Sequence, residues 1–121
     1  MSEPPAADRT VTLAWGDGDH AFNLKLQSQI EELEDKCGCG IAEIFNRLRE
    51  GRWKLADVRE SIRIGLIGGG KTPVQALALV KRYIDERPLA ESVLAAQMTL
   101  MATIVGAPSQ PPAEPEAKPN G

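Results

Sequence analysis

The chain has 121 residues, with 14 lysines and arginines against 17 aspartates and glutamates, a formal net charge of −3. That length admits one domain with a modest core, and that charge offers no overall attraction for nucleic acid or anionic lipid. The N-terminus lacks the basic start and apolar run of a signal peptide. The longest apolar stretch, residues 93–107, is interrupted by Gln97, Thr99 and Thr103 and falls short of the about 20 residues a bilayer requires. A soluble, cytoplasmic protein is expected.

Residues 1–9 carry two prolines among small and polar residues, and residues 107–121 hold Pro108, Pro111, Pro112, Pro115 and Pro119. Such segments cannot bury enough apolar area to offset the entropy of ordering. Both ends are expected to be disordered, which leaves residues 10–106 as a single domain.

Residues 10–26 read as a β-hairpin. Val11, Leu13 and Trp15 alternate with small or polar residues, as do Phe22, Leu24 and Leu26, and Gly16-Asp17-Gly18-Asp19 between them suits a tight turn. Two strands are marginal alone, so the apolar face must pack on helices. Ser28 with Glu31 spells a capping box for a first helix, with Ile30, Leu33 and Cys37 inward and an acidic outer face. Ile41, Ile44, Phe45 and Leu48 mark a second helix closed by Gly51. Leu55, Val58, Ile62 and Leu66 form the stripe of a third, which Ile64 does not fit.

Thr72-Pro73 begins a fourth helix as N-cap and first residue, with Ala76, Leu77, Val80, Tyr83 and Ile84 as its stripe, and Pro88 resets the chain. The last helix, from about Leu89, carries two stripes. One is Leu89, Val93, Ala96, Leu100 and Ile104; the other is Leu94, Met98, Met101 and Val105. A helix apolar over that much of its surface is either central or keeps a face for a partner. The predicted fold is α+β, an N-terminal β-hairpin packed on a small bundle of about five helices.

Residues 65–72, Gly-Leu-Ile-Gly-Gly-Gly-Lys-Thr, satisfy the spelling of a phosphate-binding loop. Chemistry there needs a buried parallel strand before the loop, backbone N–H groups free to wrap phosphates, and an acidic residue on a later strand to help hold Mg²⁺. The run before the glycines reads better as helix, and everything after Thr72 is helical in period. Glycines between two helices serve equally to end a helix, permit positive φ and let backbones approach. A P-loop-like nucleotide-binding protein stands as one alternative reading. A small DNA-binding adaptor is another, because Arg47, Arg49, Arg52, Lys54, Arg59 and Arg63 give the middle of the chain a basic bias. Glu43 and Glu50 interleave with these residues, however, and favour a solvated face.

Cys37 and Cys39 are the only cysteines and His20 the only histidine, too few and too far apart for a four-ligand zinc site. A disulfide closing so short a loop is strained. These thiols read as structural or incidental, and His20 as an exposed strand residue. No Ser/His, Cys/His or clustered-carboxylate arrangement stands out, so no catalysis, metal, cofactor or small-molecule substrate is predicted.

The glycine segment and the residues after it resemble a known family. Gly65, Gly68, Gly69 and Gly70, then Ala-Leu-Ala-Leu-Val-Lys-Arg-Tyr at 76–83, then Arg87-Pro88-Leu89-Ala90-Glu91, then Ala-Ala-Gln at 95–97, look like the gene transfer agent family of small phage-derived proteins. The likeness spans residues 10–106 and includes Ile-Glu-Glu-Leu at 30–33 and Ile-Phe-x-Arg-Leu at 44–48. In many members the residue after the glycines is not lysine, which makes Lys71 an incidental completion of the nucleotide motif. The resemblance implies a non-enzymatic tail-tube-associated protein or tail assembly chaperone. Such a protein would bind tail components such as the tape-measure or tail-tube protein, in the cytoplasm or on a phage-like particle during assembly. Met98 and Met101 on the last helix could supply an adaptable contact face, and Trp53 on a connection a second one. Core filling for the methionines and a cover over the core for Trp53 are the plainer readings.

Overall fold

The computed structural model describes residues 8–107, and the end segments expected to be disordered lie outside it except for Asp8, Arg9 and Ala107. β1 (Val11–Trp15) and β2 (Gly18–Phe22) pair antiparallel, from Val11 opposite Phe22 to Trp15 opposite Gly18. The two-residue loop between them opens with φ +65° at Gly16, the positive value that mirror-image hairpin turns need at their first central residue. Side chains of opposed residues share a face, so Val11, Leu13, Trp15, His20 and Phe22 point to the helices. Thr12, Ala14 and Asp19 face solvent.

That register corrects the expectation for His20. It opposes Leu13 and is therefore drawn to the core face, where only 8% of it is exposed. Its Nε2 lies 2.7 Å from Asp17 Oδ1, and its ring meets Trp15 edge-on at 5.7 Å. The bond to His20 holds the Asp17 carboxyl below its usual pKa.

Five helices follow: α1 (Gln27–Cys37), α2 (Ile41–Glu50), α3 (Leu55–Gly68), α4 (Pro73–Val80) and α5 (Ala90–Val105), with a π-helical turn at Lys81–Asp85 prolonging α4. The fold is the expected α+β arrangement of hairpin and helices. Ser28 is not the first cap: Gln29 Oε1 accepts the Leu26 N–H at 3.0 Å, so α1 starts at Gln27. Gly38 and Gly51 end α1 and α2 with φ near +75°, the left-handed conformation that favours glycine there. At α4, Thr72 is the N-cap as anticipated, and Gln75 completes a capping box, the hydroxyl accepting the Gln75 N–H and the amide oxygen accepting the Thr72 N–H.

The centre belongs to α3 rather than to the last helix. It packs against β2, α1, α2, α4 and α5, and Val58, Ile62, Ile64 and Leu66 are wholly or almost wholly buried. Ile64 misfits a single stripe because this helix is covered on several sides, a condition under which one-sided periodicity fades. α5 lies antiparallel beside β1, joined near one end by the Ala107 N–H donating to the Asp8 carbonyl and near the other by Trp15 Nε1–H donating to Ser92 Oγ at 2.9 Å.

Candidate functional site

The glycine segment turns out to be a joint between a helix and a strand. Gly65 and Gly68 lie in the last turns of α3, where the Gly65 carbonyl accepts the Asn23 N–H at 2.9 Å. A Cβ on Gly68 would overlap the Asn23 carbonyl, and one on Gly69 the Ala21 carbonyl. Gly65 sits over Phe22 and Thr99, at the point where α3, α5 and β2 cross. Side chains at 68 and 69 would force the outer edge of β2 away from α3; glycine lets that edge be covered.

The same segment lacks the setting of a phosphate loop. A helix, not a strand, delivers the chain into it. The Lys71 N–H donates to the Leu66 carbonyl at 2.9 Å and the Gly70 N–H to the Ile67 carbonyl at 3.1 Å, the paired bonds of a Schellman ending, with φ +121° at Gly70. The Gly69 N–H bonds Gly65 and the Thr72 N–H bonds Gln75. Donors that would cradle phosphates are spent on ending one helix and capping the next.

The arginines of the middle segment are engaged with carboxylates. Arg47 meets Asp57 at 2.7 Å, Arg52 meets Glu50 at 2.7 Å and Glu43 at 3.4 Å, and Arg49 lies 3.1 Å from Glu50. Arg59 clasps Asp85 through both Nε and Nη2 at 2.9 Å, and Arg63 bridges Glu60 and Glu32. The Arg59 clasp ties α3 to the π turn and holds the Asp85 carboxyl below its usual pKa. Arg47 itself points at Asp57 on α3, and its Nη2 also donates to the Cys37 carbonyl at the end of α1. A DNA-contacting row would need these guanidinium groups turned outward and free.

Cys37 is buried and Cys39 half-buried, both as free thiols. Burial, reinforced by the negative charge of Asp57, pushes the Cys37 thiol up to about 12. Among the described residues no group of three or more His, Cys, Asp or Glu side chains could hold a metal ion, and no helix is long and apolar enough to cross a membrane.

Arg87, Pro88, Leu89 and Ala90 form the corner into α5, at the opposite end of the hairpin from the glycines. Arg87 grips Glu91 through two bonds of 3.0 and 3.1 Å, and the Pro88 carbonyl accepts the Glu91 N–H. Arg87, Glu91 and Ser92 line an open groove of about 500 Å³ with Trp15, Gly16 and Tyr83. The Tyr83 ring lies so close over Gly16 that a Cβ there would crowd it, and it meets Trp15 edge-on at 5.7 Å. The two sequence motifs are thus not one site; β2 and its turn separate them.

Exposed large apolar residues occur singly or in pairs at Leu26, Leu55, Val74 and Leu77, and four more gather on α5. Its first stripe faces inward, with Ala96 and Leu100 fully buried. Its second stripe faces out: Leu94 is 66% exposed, Met101 37% and Val105 70%, with Met98 half-buried between them. Ile104, the last member of the first stripe, departs from it and is also exposed. Trp53 packs half-buried against the core. Of the residues singled out as contacts, Met98 and Met101 therefore share a surface on one helix. Leu94 and Val105, visible in sequence only as members of a stripe, are its most exposed members. The Trp15–Tyr83–Ser92 cluster had no sequence signal, since its members lie up to 77 positions apart.

Residues 8–106 match the family described as "Phage tail tube protein, GTA-gp10". No curated protein and no solved structure matches the chain.

Proposed function

From a chain that belongs to the family of phage tail tube proteins GTA-gp10, and so to a structural family of phage-type tails, we propose a non-enzymatic factor that binds another tail component during assembly. The role is that of a tail assembly chaperone or tube-associated protein, with the tape-measure or tail-tube protein as the bound component. One observation carries the reading: along one stripe α5 exposes Leu94, Met101 and Val105, with Met98 half-buried among them. Such a stripe on a soluble surface marks a place where another chain sits, and two methionines let it adapt to varied side chains. A helix face of this kind recognises apolar residues laid into or along it.

Co-expression with the surrounding tail proteins, followed by affinity capture of this chain, tests the proposal. A tail component should be recovered, and Met98→Asp with Met101→Asp should abolish its recovery while leaving the helical signal unchanged. Capture of no tail component, or capture indifferent to both substitutions, would overturn it.

A further inference from the structure

The two edges of the hairpin are treated differently. A two-residue loop closes on a hydrogen-bonded pair, so Trp15, Leu13 and Val11 exchange bonds with Gly18, His20 and Phe22. The N–H and C=O groups of Ala21 and Asn23 then point outward from β2, where α3 covers them through Gly65, Gly68 and Gly69. Those of Thr12 and Ala14 point outward from β1, and among the described residues nothing bonds them. β1 carries none of the usual guards of an open edge: no lysine, proline or bulge interrupts Val-Thr-Leu-Ala-Trp. Beside this edge runs a groove of about 280 Å³ lined by Leu13, Ala14, Trp15, Leu94 and Ala95, with Glu91 at its end.

We propose that β1 pairs antiparallel with β1 of a second copy of this chain, joining the two hairpins into one four-stranded sheet about a twofold axis at Leu13. The edge is self-complementary in that register. Thr12 of each copy stands opposite Ala14 of the other, and each such pair exchanges two backbone hydrogen bonds. Leu13 of each copy faces its counterpart in the close, non-bonded position, with its side chain on the core face. That places the incoming leucine over the groove beside Leu94, where an apolar side chain is what the lining accepts. An isologous contact of this kind closes after two copies and leaves no strand edge open to a third. The dimer goes beyond the tail-partner reading and does not depend on it: a dimer that captures no tail protein and a monomer that captures one are separately readable.

Sedimentation equilibrium of the full chain, from low micromolar to several hundred micromolar, tests the seam. A monomer–dimer equilibrium is expected. Ala14→Pro removes an outward donor that the hairpin itself does not use, and its loss on both copies should weaken the dimer at least about tenfold. Leu94→Glu, at a position 66% exposed in the single chain, should weaken it similarly with unchanged circular dichroism and melting, so the test survives if the proline variant misfolds. In a Cys39→Ser background, Leu13→Cys should form a disulfide-linked dimer under mild oxidation, since opposed non-bonded positions suit that geometry. A chain that stays monomeric throughout, or a dimer indifferent to Leu94→Glu and uncrosslinked by Leu13→Cys, would overturn the proposal.

Discussion

Asp57, with no exposed surface, holds the guanidinium of Arg47 at 2.7 Å and so locks α2 to α3. Its second carboxylate oxygen accepts the Lys54 N–H at 2.8 Å, which caps the start of α3. One buried acid thus serves a helix cap and an inter-helix pair. Removing the cation alone strands that acid, a change that costs about 3–5 kcal/mol. Arg47→Ala should lower the free energy of unfolding by that order in urea titration. Arg47→Met combined with Asp57→Leu should recover much of the loss, because replacing both partners leaves no buried charge unpaired. A single variant as stable as the parent would show that the pair contributes little.

At the glycines the expected penalties are inverted relative to a nucleotide site. Gly68→Ala drives a methyl into the Asn23 carbonyl, and since a Cβ has no rotamer to escape by and the atom it meets is backbone, it should destabilise by about 3 kcal/mol or more. Lys71→Ala removes a side chain whose backbone alone takes part in the helix ending, and should stay within about 0.5 kcal/mol of the parent. Chemical denaturation of the two variants side by side decides the matter. If Lys71→Ala proves the costlier, close packing of α3 on β2 is not what this segment is for.

The sequence shows where these elements lie better than it shows what they touch. The hairpin, the five helices and the double stripe of α5 follow from alternation and helical spacing, which are local. Arg47 and Arg49 look alike in sequence, two positions apart and flanked by glutamates. Yet the side chain of Arg49 is 53% exposed and that of Arg47 only 11%, because Asp57 approaches Arg47 from the next helix. The glycines at 68 and 69 were readable as a helix ending, but the reason that no other residue fits lies at Ala21 and Asn23, more than 40 positions upstream. Both stripes of α5 were visible as well. Which one is buried depends on where the hairpin and α3 settle, and only long-range packing decides that.

Cys37 supplies a test on the alkaline side. Burial first, and then the charge of Asp57, raise its thiol from 9.0 to about 12. A group whose folded pKa is raised contributes stability that is complete below its unfolded value. The unfolded chain gains a thiolate above pH 9.0 that the folded chain resists until about 12, so this contribution should drain away across that window. Cys37→Ala should remove this part of the alkaline slope from a plot of melting temperature against pH. At pH 8 the thiol should also be shielded from an aromatic disulfide reagent, since the reacting species is the thiolate. Half-buried Cys39 should react first, and Cys37 only on a timescale set by opening of the α1–α2–α3 contact. In denaturant both should react together. Equal, rapid labelling of the two in the native chain would mean that Asp57 and Cys37 do not share a closed interior.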